Sequence, residues 1–192
     1  MNTSSKQDIR RDARRRRSHF VESLPPVALK LAFHAPPTAL MRLIAPASSV
    51  ALYLPVGSEA PADAFADPLI MAGKSLCLPC LEGNALDMVF RQWAPGEELV
   101  LGHAGVSEPG PNAPLAVPDA IFAPLVAFDR ALNRLGQGGG HYDRVFARYD
   151  HAIRIGIAWS GQERDDLVLD PWDVPLHAIV TEREFIEGLA RS

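Results

Sequence analysis

Short apolar runs, each closed by a proline, a glycine or a polar break, set the rhythm of this chain. Residues 50–54 (Val50-Ala51-Leu52-Tyr53-Leu54) are apolar throughout and stop at Pro55, the pattern of a short strand buried on both faces. Residues 120–128 form a longer run of the same kind, and in 152–159 the isoleucines at 153, 155 and 157 alternate. Residues 75–78 and 176–180 read as further short strands, and 86–93 as a strand paired in a hairpin with 99–103. Helical stretches lie between them. Residues 6–21 (about 5–22 with the ends) form a basic, charged helix with Ile9, Ala13 and Phe20 on its thin apolar side, stopped by Pro25-Pro26. A second helix over 27–43 is interrupted near Pro36-Pro37, a third over 62–71 is closed by Gly73, a fourth covers 142–149, and a last one starts at Glu182. Residues 109–118 are a proline-rich surface connection. Strands alternating with helices predict an α/β fold: a single-domain layered structure over residues 1–192 with a mostly parallel central sheet flanked by helices. In such sheets ligands collect at the C-terminal ends of the strands.

Composition narrows the functional classes. A chain of 192 residues with 47% hydrophobic and 22% charged residues has the make-up of a soluble globular protein. The net charge of −4 argues against a general nucleic-acid binder, and the Arg14–Arg17 run reads as a solvated helix face. No apolar run approaches the length of a membrane span. The N-terminal stretch lacks a signal-peptide core, and Asp8 and Asp12 weigh against a transit peptide, so the cytoplasm is the expected compartment. The two cysteines form Cys77-Leu78-Pro79-Cys80, spaced as a redox pair or half a zinc site. With no second pair to complete a zinc site, two reduced thiols at the end of a buried strand are expected.

The candidate chemistry centres on Arg134-Leu135-Gly136-Gln137-Gly138-Gly139-Gly140-His141-Tyr142-Asp143-Arg144. Four glycines in five positions separate an apolar strand from a helix. Such a loop lets backbone N–H groups approach a phosphate, and the helix N-terminus adds favourable partial charge. Arg134 can clamp phosphate oxygens, and Asp143 can hold Mg²⁺. Neither standard glycine fingerprint is present, and a glycine cluster also serves as a plain turn, but a turn alone does not require the flanking Arg134, Tyr142, Asp143 and Arg144.

This loop resembles the R-L-G-x-G-x-G-Y-Y-D-R of the 5-formyltetrahydrofolate cyclo-ligase (methenyltetrahydrofolate synthetase) family, and Ala127-Phe128-Asp129 matches the A-F-D before it. The resemblance runs through nearly the whole chain in order. It takes in Lys6 and Arg10, Tyr53 to Glu59, Gly73-Lys74 to Pro79, Met88-Val89-Phe90, Gly105 to Pro109, Ile155 to Trp159 with Gln162, and Asp173 to Glu182. It implies an enzyme that converts 5-formyltetrahydrofolate to 5,10-methenyltetrahydrofolate with ATP and Mg²⁺, releasing ADP and phosphate. The implied nucleotide residues are Lys6, Arg10, Arg134, Gly136, Gln137, Gly138, Gly139, Gly140, His141 and Tyr142, with Arg134 and Tyr142 closest to the chemistry. The reduced folate falls to Leu54, Glu59 and Met88 with Gln137 to His141, and Mg²⁺ to Asp143 and Asp173. Several positions depart from the family pattern. Gln137 replaces an aromatic or basic residue, His141 the first tyrosine, Leu125 and Leu132 glycines, and Trp172 a histidine. The leucines imply a backbone that avoids positive φ at 125 and 132. The departures also leave open a divergent member that binds nucleotide or folate without this turnover or acts on another substrate.

Overall fold

The computed structural model describes residues 5–82, 87–102 and 105–188. The charged first helix, α1 (Lys6–Ser23), opens with a capping box in which Ser5 and Asp8 satisfy each other's backbone amides, and it ends just before Pro25-Pro26. The expected second helix is two, α2 (Pro26–Leu31) and α3 (Thr38–Leu43), because Pro36-Pro37 cannot continue the ladder between them. The third is a 3₁₀ turn over Ala62–Phe65 leading into α4 (Ala66–Met71), and Gly73 follows with φ +76°. The fourth is α5 (His141–Arg148), which lies after the glycine loop.

The main sheet comprises β1 (Ser49–Ala51), β2 (Ser75–Glu82), β3 (Asp87–Gln92), β6 (Leu115–Ala116), β7 (Ala120–Pro124), β10 (Ile153–Ile157), β11 (Ala178–Val180) and β12 (Phe185–Glu187). Two small hairpins flank it: β4 (Leu99–Leu101) with β5 (Ser107–Pro109), and β8 (Ala127–Phe128) with β9 (Arg134–Leu135). The order is β12-β11-β10-β7-β1-β2-β3-β6. The five inner strands from β11 to β2 are mutually parallel, and the edges turn antiparallel. The α/β layered fold with a mostly parallel sheet is as the sequence implies.

Period-two alternation builds two cores. Ala120, Phe122, Ile155 and Ile157 face one layer with Leu40, Phe65 and Leu69, while Ile121, Ala123 and Ile179 face the other with Phe128, Val145 and Phe146. Helices α3 and α4 therefore cover one face and α5 the other.

Three expectations are corrected. Among the described residues the segment after Glu182 is no helix. The Thr181 hydroxyl accepts the N–H groups of Arg183 and Glu184 and turns the chain, so Phe185–Glu187 returns antiparallel on β11. The partner of β3 is β2, in register from Cys77↔Gln92 to Glu82↔Asp87, whereas residues 99–101 pair with β5. Alternation shows that a segment is a strand but does not choose its neighbour, and Leu86 and His103 lie outside the described residues. Leu132 adopts φ +66° despite its side chain, whereas Leu125 is not among the residues of positive φ.

Cys77 and Cys80 are free and buried. Three residues apart in β2 they point to opposite faces, and burial pushes each thiol up to about 12, which fits unreactive packing thiols.

Candidate functional site

The strand run 120–128 is broken at the end of β7, and the chain then makes the β8–β9 hairpin that delivers Arg134. The Asp129 carboxylate accepts the N–H groups of Ala131 and Asn133 at 2.9 and 3.0 Å and closes that turn. The Arg134 side chain is 4% exposed. Its Nη2 donates to Asp143 Oδ1 at 2.6 Å, and its guanidinium lies 4.8 Å from the Phe146 ring centre. Its Nε is buried with no hydrogen-bond partner. An unpaired donor on a buried cation is costly, and an anion relieves it.

Beyond Arg134 the glycines form a cradle. Gly138 has φ +109° and Gly140, at the N-cap of α5, has φ +65°. A Cβ at 139 would stand 2.6 Å from the His141 ring, and one at 140 would stand 3.1 Å from Arg144 Nη1, so side chains there would crowd the loop. No side chain caps the first turn of α5, which leaves that helix end fit for an anion. Asp143 sits in this first turn.

Helix α1 supplies the opposite wall. Lys6 Nζ donates at 2.6 Å to both Asp170 Oδ2 and Asp173 Oδ2. Partial burial works against its charge, but the two carboxylates outweigh it and raise its pKa. For Asp173, burial is likewise outweighed by the Asp170 N–H and the Lys6 ammonium, which hold its carboxyl below the usual range. Arg10 Nε donates to Gly136 O at 3.0 Å. Lys6, Arg10, Arg134, the glycine loop, Asp143 and Asp173 thus line one polar compartment of about 270 Å³.

A second compartment of about 470 Å³ adjoins it and shares Met88, Pro124, Gln137, His141 and Tyr142 with the first. It is more apolar, with Leu54 and Tyr53 on its wall and the Glu59 carboxylate, 9% exposed, set into it. Glu59 Oε2 accepts the Val56 N–H, and Oε1 accepts from Gln137 Nε2 at 3.0 Å. Tyr142, in both compartments, packs edge-on against Phe146, and burial pushes its phenol up, so it is a neutral hydroxyl throughout the physiological range. The implied nucleotide, folate and metal residues therefore come together in one two-part cleft, whereas Arg144 lines neither compartment.

Among the described residues no three His, Cys, Asp or Glu side chains converge as a ready metal cluster. Asp143 and Asp173 line the same compartment, and a hard cation that keeps water and phosphate oxygens in its shell needs no more than two carboxylates. The donor set fits Mg²⁺ carried in with a phosphate chain.

The sequence pattern covered by these elements matches a known family model, that of the 5-formyltetrahydrofolate cyclo-ligase family, over residues 2–182. The chain belongs to that family. A Haemophilus influenzae protein named 5-formyltetrahydrofolate cyclo-ligase is 32% identical over 94% of this chain and 99% of its own length. The Escherichia coli K12 protein of that name is 35% identical over 70% of this chain and 78% of its own. The solved structure of Aquifex aeolicus 5,10-methenyltetrahydrofolate synthetase superposes with a TM-score of 0.76 at 28% identity, covering 95% of this chain and 92% of that one. A Mycoplasma pneumoniae synthetase structure, at 22% identity and TM-score 0.68, shares the fold.

In this family member three residues escape a reading of the sequence alone. Asp170 shares the Lys6 ammonium with Asp173. Arg14 and Arg17 belong to the run read as solvated, yet only its other half behaves so. Arg15 is 81% exposed, whereas Arg17 is buried beside Glu59, and Arg14, though exposed, is tied to Gln137. A signal was present: positions 6, 10, 14 and 17 share one helix face, while 15 and 16 turn away.

Proposed function

We propose that this chain closes the ring of 5-formyltetrahydrofolate to 5,10-methenyltetrahydrofolate, converting ATP to ADP and phosphate with Mg²⁺. One observation carries the reading. A glycine-walled compartment lined by paired cations and carboxylates and an apolar compartment with a set-in carboxylate meet at Tyr142, so a phosphate chain in the first and a flat heterocycle in the second would touch end to end. The names of the relatives supply the substrate class.

The reaction needs activation because an amide-like oxygen is a poor leaving group. The formyl oxygen attacks the γ-phosphorus and ADP departs. N10 then attacks the activated formyl carbon and gives up its proton to solvent, and the C–O bond breaks to release phosphate. The protein's task is placement and charge neutralisation. Arg134, with its unpartnered Nε, and the loop amides from Gly136 to Gly140 hold the phosphates, while Lys6 and Arg10 reach them from α1. Asp143 and Asp173 would hold Mg²⁺, which would supply charge neutralisation at the phosphate oxygens. Glu59 accepts donor nitrogens of the pterin, Leu54 and Met88 give apolar contact, and the neutral Tyr142 hydroxyl and His141 stand at the junction where the two substrates meet.

The test mixes the protein with Mg-ATP and 5-formyltetrahydrofolate and follows the near-ultraviolet absorbance of methenyltetrahydrofolate. The expected result is an ATP-dependent rise that Asp143→Ala abolishes. A flat trace from folded protein refutes the turnover and leaves a binding protein or another substrate.

A further inference from the structure

Lys6, Arg10, Arg14 and Arg17 form a continuous cationic stripe of about 16 Å along α1, at the 1.5 Å rise per helical residue. The first two meet the polar compartment. Arg14 and Arg17 meet the other end of the cleft, and their contacts are specific. Arg14 Nε donates to Gln137 Oε1 at 2.8 Å and Nη2 to Gln137 O at 3.0 Å. Arg17 Nε donates to Ser58 Oγ at 3.1 Å, and its Nη1 lies 3.8 Å from Glu59 Oε1.

We propose that Arg14 and Arg17 are positioning residues for the folate: Arg17 anchors Glu59 and its loop, and Arg14 fixes the orientation of the Gln137 amide that donates to Glu59. The inference rests on the proposed function, which assigns Glu59 to the folate. Its physical basis is the inventory of donors and acceptors. A guanidinium only donates, so Gln137 must turn its oxygen to Arg14 and its NH₂ to Glu59. A carboxylate offers about four acceptor positions, so after Val56, Gln137 and Arg17 are served Glu59 retains capacity for a ligand donor with both oxygens oriented. Arg17 and Glu59, with side chains 7% and 9% exposed, form a buried pair, and such a pair persists only with well-placed partners. Ser58 is one of these, held on its other side by the Trp159 indole N–H, which donates to Ser58 O at 3.1 Å. A plain solvated arginine face would show none of this.

Arg14 is the variant to test because it is exposed and its loss leaves the core intact. Arg14→Gln is expected to raise both KM and Kd for 5-formyltetrahydrofolate by roughly five- to tenfold, the effect of losing about one hydrogen bond. The turnover number and the Kd for ATP should stay within about twofold, and Arg14→Lys, which keeps a donor, should recover most of the loss. In a Gln137→Ala background Arg14→Gln should add nothing, since Arg14 acts through Gln137. An unchanged folate Kd, an equal loss for ATP and folate, or additivity with Gln137→Ala overturns the inference while a working wild type leaves the proposed function standing. A folded wild type that binds no folate overturns both.

Discussion

Leu132 tests how the hairpin that delivers Arg134 is held. It sits in the turn between β8 and β9 at φ +66°, where a side chain costs about 1–2 kcal/mol relative to right-handed conformations. The turn survives because the side chain is 5% exposed and packed in the α5-side core, close against Gly188, while Leu132 O accepts the Leu176 N–H. Removing a buried leucine to alanine costs about 2–5 kcal/mol. Leu132→Ala loses that packing and keeps the strained backbone. Leu132→Gly loses the packing too, regains the 1–2 kcal/mol or so of backbone strain and gives back roughly 0.5–1 kcal/mol to the freer unfolded chain. The expected order of stability is wild type, then Leu132→Gly by about 1–4 kcal/mol, then Leu132→Ala by about a further 0.5–1 kcal/mol. Urea unfolding with unchanged m-values reads this directly. An alanine variant as stable as the glycine variant refutes the left-handed turn, and a glycine variant more stable than wild type refutes packing as what sustains it.

Two further predictions concern charge. Arg134→Ala should raise the Kd for ATP at least tenfold by calorimetry, because charged hydrogen bonds contribute about 1.5–3 kcal/mol each, and an unchanged Kd would remove Arg134 from the phosphate site. His177 Nδ1 accepts the Arg154 N–H at 2.9 Å, and burial followed by the Arg154 charge lowers its pKa, so folding favours the neutral ring. The unfolded ring takes its proton near the ordinary value of 6.5, so this contribution is complete above that pH and is lost as pH falls below it toward the lowered folded value. The stability difference between wild type and His177→Gln should therefore narrow between about pH 7.5 and 5.5, and a constant difference in urea unfolding across that range refutes it.

Much of this was legible because the signals are local. The runs at 50–54, 120–128 and 153–157 supply inner strands, and Pro25-Pro26 and Pro36-Pro37 mark helix ends where they fall. The candidate residues were found because the glycine loop and its flanks lie together in the chain, and the ordered resemblance tied Lys6, Glu59 and Asp173 to them. Pairing was not legible, since β3 alternates equally well against β2 or against residues 99–101. The end of the chain misled because Glu182-Arg183-Glu184 has helical composition, while a single hydroxyl, that of Thr181, decides for a turn. Leu132 misled for another reason. Residue type predicts φ only until burial of the side chain outweighs the backbone preference. Arg14 was missed because a run of four arginines has no evident phase until Lys6 and Arg10 are used to set it.

The charge balance of the polar compartment bears on how its ligands arrive. Its lining holds three cations, Lys6, Arg10 and Arg134, and three acids, Asp143, Asp170 and Asp173. They are largely paired already: Arg134 with Asp143, and Lys6 with both Asp170 and Asp173. A bare phosphate chain that drew Lys6 and Arg134 to itself would strand carboxylates beside it, and a bare divalent cation that drew the carboxylates would strand the ammonium and the guanidinium. Either exchange breaks partly buried pairs without replacing one partner, the costly case for ions away from water. Under the proposed function, a phosphate chain carrying its own Mg²⁺ would lessen this, because Lys6 and Arg134 would exchange carboxylates for phosphate oxygens as Asp143 and Asp173 exchange their cations for the metal. On that proposal the paired site would favour joint arrival of nucleotide and metal over either alone. The unpartnered Arg134 Nε and the uncapped first turn of α5 would then provide the additional attraction for the proposed nucleotide's remaining negative charge.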